Sequence, residues 1–261
     1  MEQIANPGTV CWWCIGICEP FGVATVIGHE VKYLSCKSCG SVRTEEPFWL
    51  DEAYSRPSPD LGLVNRNEGT ANLLPKILRQ WKKEGSFCDF GGGTGMLTRM
   101  MRDRGFDFFC FDSMATNQFA RGFDALVESR RWSAITAIEV LEHIPRTNET
   151  VRNLLSNTDC LVFQTEVLPS SPAPDLQSWW YYLLSEGQHV SFPSRDGIAA
   201  LANSLGVHYY HAGKSVHILS RKPSRKLAGL AWAALASRKL RQSKNRGHLG
   251  QDTNFVANLD T

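Results

Sequence analysis

The sequence predicts an α/β fold: a doubly wound, mostly parallel sheet, with a small cysteine-rich module before it and a basic helix after it. Three observations carry this reading. From Ser86 to about Arg221, short apolar runs alternate with longer amphipathic stretches, the pattern of strands joined by crossover helices. One of the runs ends in a cluster of glycines, and two Cys-x-x-Cys pairs fall within the first 40 residues. A length of 261 residues suits one large domain with an appendage. A hydrophobic share of 43% can build a core, which excludes wholesale disorder.

Taken in order, residues 1–45 form the cysteine module, with hairpin strands expected at Gly22–Ile27 and Glu30–Leu34. Residues 46–85 are a helical lead-in, broken by Pro57, Pro59 and Gly62 before a helical pattern resumes through Ala71, Leu74, Leu78 and Trp81. Residues 86–222 are the sheet domain. Its strands are expected at Phe87–Phe90, Phe106–Phe111, Ala134–Val140, Cys160–Gln164, Val207–His211 and Ser215–Ser220, with a late helix over Asp196–Leu205. Residues 223–261 are a basic helical tail.

Charge separates the tail from the body. Residues 197–251 carry ten Lys/Arg and no Asp/Glu, whereas residues 1–196 carry 18 basic and 24 acidic residues. A globally basic nucleic-acid binder is excluded, and the tail's sparse aromatics also argue against nucleic acid. The tail's stripe of Leu227, Leu230, Ala231, Ala234 and Leu235 suits a helix packed on the domain, or an interfacial helix touching acidic lipid or a phosphate-bearing substrate. The longest apolar stretch, Leu227–Ala236, is about half of the roughly 20 residues a spanning helix needs. Met1–Pro7 shows no signal-peptide pattern, and eight cysteines make no secreted framework at this length. A soluble, cytoplasmic protein is expected.

The most informative stretch is Asp89-Phe90-Gly91-Gly92-Gly93-Thr94-Gly95-Met96, where a strand meets a helix. Glycines let the backbone turn sharply, approach a ligand and aim N–H groups at it. A phosphate-cradling loop needs Lys-Ser/Thr after its last glycine, and Met96-Leu97 excludes it. The nicotinamide fingerprint wants a glycine where Met96 stands. The remaining pattern, Asp-x-Gly-x-Gly-x-Gly, resembles that of the Rossmann-like S-adenosylmethionine-dependent methyltransferases. The resemblance implies that Asp89, Gly91, Gly93 and Gly95 hold the cofactor's methionine and ribose. It also implies an acid at the end of the next strand that accepts from both ribose hydroxyls. Asp112, 23 residues after Asp89, supplies it.

Ile138-Glu139-Val140-Leu141-Glu142-His143 ends a further strand and is similar to the fourth-strand motif of small-molecule methyltransferases. Polar groups beyond the carboxyl ends of parallel strands face ligand. Glu139 is therefore expected at the cofactor, Glu142 at the substrate, and His143 as a candidate base.

Cys11-Trp-Trp-Cys14 and Cys36-Lys-Ser-Cys39 lie 21 residues apart, each able to offer two thiolates to one tetrahedral ion. The hairpin between them completes a zinc-ribbon pattern whose metal would be structural, with Cys18 and His29 as spare ligands. Farther on, Trp179-Trp180-Tyr181-Tyr182 cannot all face one core, so one or two of Trp180, Tyr181 and Tyr182 are expected to line a cleft with Gln188. His189 follows on a lid-like loop and is preferred over His143 as the base.

Together, these features resemble bacterial methyltransferases of sugar and polysaccharide biosynthesis, and are similar to the nucleotide-sugar C-methyltransferases, which begin with a zinc module. The resemblance covers residues 11 to about 220. It implies a small-molecule acceptor such as a sugar or glycan precursor, with Tyr54, His143 and Gln188-His189 at substrate and proton transfer. Gln188 stands where that family has an acid, and a Gln takes no proton. The large second domain of the sugar enzymes has no counterpart in these 261 residues.

Overall fold

The computed structural model describes residues 9–56, 62–82 and 84–229. The chain opens on a hairpin of β1 (Cys18–Val26) and β2 (His29–Cys36), turned through Ile27 and Gly28, both at positive φ. Such two-residue turns match the twist of the strands they join. β3 (Val42–Thr44) pairs with β2, and the sheet is completed by β8 (Ser191–Phe192), far along the chain. The cysteine module is thus stitched into the rest of the protein. Trp13 Nε1 donates to Ser191 Oγ at 2.9 Å, and Thr44 N donates to the Val190 carbonyl.

Two helices follow: α1 (Leu50–Ser55) and α2 (Leu63–Trp81). The main sheet then assembles from β4 (Ser86–Phe90), β5 (Asp107–Phe111), β6 (Ala134–Ile138), β7 (Cys160–Gln164), β9 (His208–Ala212) and β10 (Val216–Ser220), in the order β5-β4-β6-β7-β10-β9. β4 is parallel to β5 and β6, and β6 to β7; β10 is antiparallel to both its neighbours. Each sequence-expected run becomes a strand, with ends moved by a residue or two. β6 stops at Ile138, because Glu139 takes φ 55° and leaves the ladder.

Alternate strand residues point to opposite faces, as the pleat requires. Phe87, Phe108, Ala134 and Val162 meet α2 and α3 (Met96–Asp103) on one face. Cys88, Ile135, Ala137, Leu161 and Phe163 meet α4 (Thr147–Ser156) and α5 (Arg195–Ser204) on the other. A third cluster, with Tyr33, Trp49, Tyr181, Tyr182 and Phe192, fills the space beneath the small sheet. The chain crosses to opposite faces of the sheet on either side of β4, and ligands of open α/β sheets bind at such a switch point.

Of the basic tail, the residues after 229 lie outside the described ones; at its start, Leu227 is buried against the α2–α3 layer. Among the described residues, no helix is long and apolar enough to cross a membrane.

Candidate active site

The glycine turn folds back over the end of β5. Gly91 N and Gly92 N both donate to the Phe111 carbonyl, at 2.8 and 3.1 Å. Gly93 has φ +57°, and a Cβ built there meets nothing within 4 Å. The turn therefore keeps an open cradle at Gly93. Gly95 has a different task. At φ +80° it starts α3, and a Cβ there would stand 2.1 Å from Asn117 Oδ1. It lines neither cavity around the turn, so the expectation that Gly95 touches cofactor is corrected to close packing.

Asp112 stands just past β5. Its Oδ2 accepts from Gly93 N, and its Oδ1 from Met114 N and Ala115 N, each at 2.8 Å. A carboxylate has about four acceptor positions, so one remains for a ligand. Gripping two hydroxyls at once would require a backbone bond to yield. Asp89 is 2% exposed and committed to the Thr136 hydroxyl at 2.6 Å. Burial pushes its carboxyl up to about 7, against the pull of that hydroxyl. It floors the turn more than it reaches out of it.

Two cavities of about 180 and 270 Å³ flank the turn and share Gly91 and Glu139. Asp89 and Gly93 border the first, with Arg66 and Asn67 of α2 opposite. Tyr54, Asp112, Met114, Val140 and His143 border the second. Sequence reasoning missed Arg66 and Asn67. Their only signal was a short polar run, Asn65 to Glu68, near the start of the helix, and nothing local says that this run overhangs the glycines.

The motif after β6 divides its residues between cleft and interior. Glu139, turned out by its positive φ, borders both cavities. Glu142 is fully buried, so its expected contact with substrate is corrected: it lies behind the cleft wall. Its Oε1 accepts from Tyr181 Oη at 2.6 Å, while Oε2 is buried with no partner. Burial, with the Glu139 charge beside it, pushes its carboxyl up to about 8. His143 reaches the cleft, its ring 6.3 Å from that of Tyr54. His189 packs edge-on against it at 4.7 Å, buried, with Nδ1 donating to the Tyr181 carbonyl at 2.8 Å. Burial lowers His143 to about 3, with His189 adding to the effect, and lowers His189 to about 4. His189 is therefore a core histidine behind His143, and the lid-like loop expected for it is a packed segment.

The aromatic stretch is corrected in the same way. Tyr181 and Tyr182 are buried, Tyr182 donating to the Pro174 carbonyl. Trp180 is 71% exposed and lines none of the cavities around the turn. The aromatics that border the second cavity are Tyr54, Phe90 and Phe111. Gln188 instead ties elements together: its Nε2 donates to the Ala53 carbonyl at 3.4 Å, and Trp49 Nε1 donates to Gly187 O at 2.8 Å. These bonds hold α1, and with it Tyr54, against the His189 segment.

At the other end of the small sheet, Cys11, Cys14, Cys36 and Cys39 place their sulfurs within 4.8 Å of one another. Cys11 and Cys39 are 3.8 Å apart, Cys14 and Cys36 3.4 Å. Tetrahedral zinc with Zn–S bonds near 2.3 Å needs sulfurs about 3.8 Å apart, so the donor set fits that ion. Trp13 N and Gly16 N donate to the Cys11 and Cys14 sulfurs, bonds that favour thiolates. His29 is not a spare ligand. It sits at the far end of β2, more than about 20 Å of strand from Cys36, and bonds Glu52 at 2.8 Å.

A glycine turn at the switch point of a mostly parallel sheet, with a strand-end carboxylate beside it, is the arrangement expected above for an S-adenosylmethionine-dependent methyltransferase. The sequence profile of the family described as "Methyltransferase domain" matches residues 65–212, more than half of the chain, and the protein belongs to that family. No curated protein sequence matches it. Several solved structures are similar. The magnesium protoporphyrin IX methyltransferase ChlM of Synechocystis PCC 6803, with bound SAM, is 14% identical with TM-score 0.43, covering 64% of this chain and 86% of that one. An O-methyltransferase family protein of Burkholderia thailandensis is 12% identical with TM-score 0.48, covering 69% and 65%. CalS10, an amino pentose methyltransferase of Micromonospora echinaspora, is 10% identical with TM-score 0.45, covering 64% and 98%.

Proposed function

We propose that the protein transfers a methyl group from S-adenosylmethionine to a small molecule, a sugar, nucleotide sugar or other glycan precursor, in the cytoplasm. One observation carries this reading: the glycine turn and Asp112 meet Tyr54 and His143 around a single cleft. The open cradle at Gly93 and the remaining acceptor position of Asp112 suit the cofactor's backbone and ribose. Arg66 borders the neighbouring cavity, the one that holds Gly93, and suits a carboxylate. The sugar assignment rests on the motif residues, which the fold draws together through the Gln188–Ala53 bond.

When bound, the cofactor supplies an electrophilic methyl on a sulfonium. The chain's residues then have two tasks: aligning the acceptor with that methyl and managing the acceptor's proton. Tyr54 and His143 border the space for the acceptor and orient it. The buried Glu142–His143–His189 cluster behind Tyr54 is assigned the proton. The four cysteines are assigned a structural zinc, and the eight unpaired cysteines suit a reducing compartment.

Titration calorimetry with S-adenosylmethionine and its demethylated product tests the cofactor assignment; pure protein that binds neither sinks it. Mass spectrometry of cofactor-fed lysate tests the acceptor. A nucleotide sugar or glycan precursor heavier by one methylene is expected, and a methylated RNA or protein with no such product would overturn the small-molecule reading.

A further inference from the structure

Behind the cleft lies a second constellation of metal-ligand type. Glu142, His143 and His189 each offer a ligand atom, and the three atoms lie within 4.8 Å of one another. Two polar atoms here are buried with no hydrogen-bond partner: Glu142 Oε2, on a fully buried side chain, and His143 Nδ1. An unpartnered buried polar atom is destabilising, so such atoms call for an explanation.

The atoms around them are arranged as a metal's outer shell. His189 Nδ1 faces the Tyr181 carbonyl, which can only accept, so the proton sits on Nδ1. That leaves the Nε2 lone pair for a ligand. Glu142 Oε1 is fixed by the Tyr181 hydroxyl, leaving Oε2 as the second ligand atom. Metal-bound histidines commonly donate their other N–H to a carbonyl in this way, and ligating carboxylates are themselves hydrogen-bonded. Val190 N donates to the Glu142 carbonyl at 2.8 Å, which locks the two ligand segments together.

We propose that Glu142, His143 and His189 bind one divalent transition-metal ion of the zinc class, separate from the four-cysteine site. Two imidazoles and a carboxylate are borderline ligands that suit such an ion. The ion's charge compensates the buried carboxylate and gives both orphaned atoms a partner. Three protein ligands leave a position open, and His143 borders the cleft. Resting on the function proposed above, that position suits an acceptor oxygen, whose proton the ion would make more acidic. His143 is then a ligand, and the cluster manages the proton through the metal.

The full-length protein expressed in cobalt-supplemented minimal medium provides the test. The wild-type chain is expected to retain about two ions, and Glu142→Gln or His189→Ala about one, in elemental analysis. Cobalt at four thiolates gives intense near-ultraviolet charge-transfer bands. These should persist in both variants and, with far-UV circular dichroism, report that the fold is intact. The weaker visible bands of a nitrogen- and oxygen-bound ion should be present in wild type and vanish in the variants. A wild-type chain holding a single, thiolate-bound ion overturns the proposal, as do folded variants that keep two. Calorimetry on the same samples separates this from the wider reading. Cofactor binding without a second ion refutes the metal centre alone. A second ion without cofactor binding refutes the methyltransferase role and leaves the centre standing.

Discussion

Asp112 spends three of its acceptor positions on its own backbone, so the residue proposed as a cofactor ligand is also scaffold. Asp112→Ala should weaken S-adenosylmethionine binding by about 1.5–3 kcal/mol, the usual worth of hydrogen bonds to a charged group; calorimetry reads it directly, and unchanged affinity would remove Asp112 from the site. Asp89 carries a pH signature. Its carboxyl keeps its proton up to about 7 in the folded chain, raised by burial, opposed by the Thr136 hydroxyl and helped by the charge of Asp112, with the Cys88 and Cys110 thiols as further neighbours. An unfolded Asp titrates near 3.9. The retained proton stabilises the fold fully below that value, and the contribution fades as pH rises through about 7. Thermal melts of the ligand-free protein should show this loss between about pH 4 and 7, by about 4 kcal/mol at most, and Asp89→Asn should flatten it. An equally steep decline in the variant would assign the loss to other groups. At this scale the sequence revealed residue types better than their exposure. Glu142, Tyr181 and His189 looked like ligand contacts because polar groups cluster beyond strand ends, but their burial depends on partners distant in sequence, such as Tyr181 against Glu142, 39 positions apart, and His189 against His143.

The turn between β4 and α3 separates two uses of glycine. Gly95→Ala puts a Cβ into Asn117 at positive φ and should cost about 1–3 kcal/mol of stability, seen as a lower denaturation midpoint. Gly93→Ala meets no neighbour, so it should cost less stability yet lose more cofactor affinity, because the methyl group stands in the cradle. If the two variants lose stability and affinity in equal proportion, the distinction between packing and cradling fails. The strands, this turn and the paired cysteine knuckles were legible because each has a local period or spacing. β8 was not. Two residues have no period, and their pairing with β3 is specified only by the finished fold.

Across the whole molecule, the small sheet links the cysteine site to the segment behind the cleft, because β8 follows His189. Loss of the ion proposed at the four cysteines should therefore do more than loosen residues 11–39. Released knuckles slacken β2 and β3, and β3 holds β8, next to His189. The double variant Cys36→Ser, Cys39→Ser, which leaves Glu142, His143 and His189 intact, is expected to lose turnover while most far-UV ellipticity of the larger sheet remains. Full activity in that variant would mean that the small sheet stands without its ion. The overall α/β architecture was legible as alternating runs. The joining of its two parts was not, because the contacts that join them, such as Trp13 to Ser191, lie 178 residues apart.

That separation matters during synthesis. The knuckles and hairpin leave the ribosome well before the sheet domain and can take up metal at once, but β3 has no outer neighbour until Ser191 and Phe192 emerge. For most of translation the nascent chain displays an unpaired strand edge, the kind of surface that recruits other chains. β3 is only three residues long and places Arg43 in its middle, and a short edge with a central charge is a poor template for intermolecular pairing. The brevity of that strand protects the newborn protein during the interval that its late partner imposes.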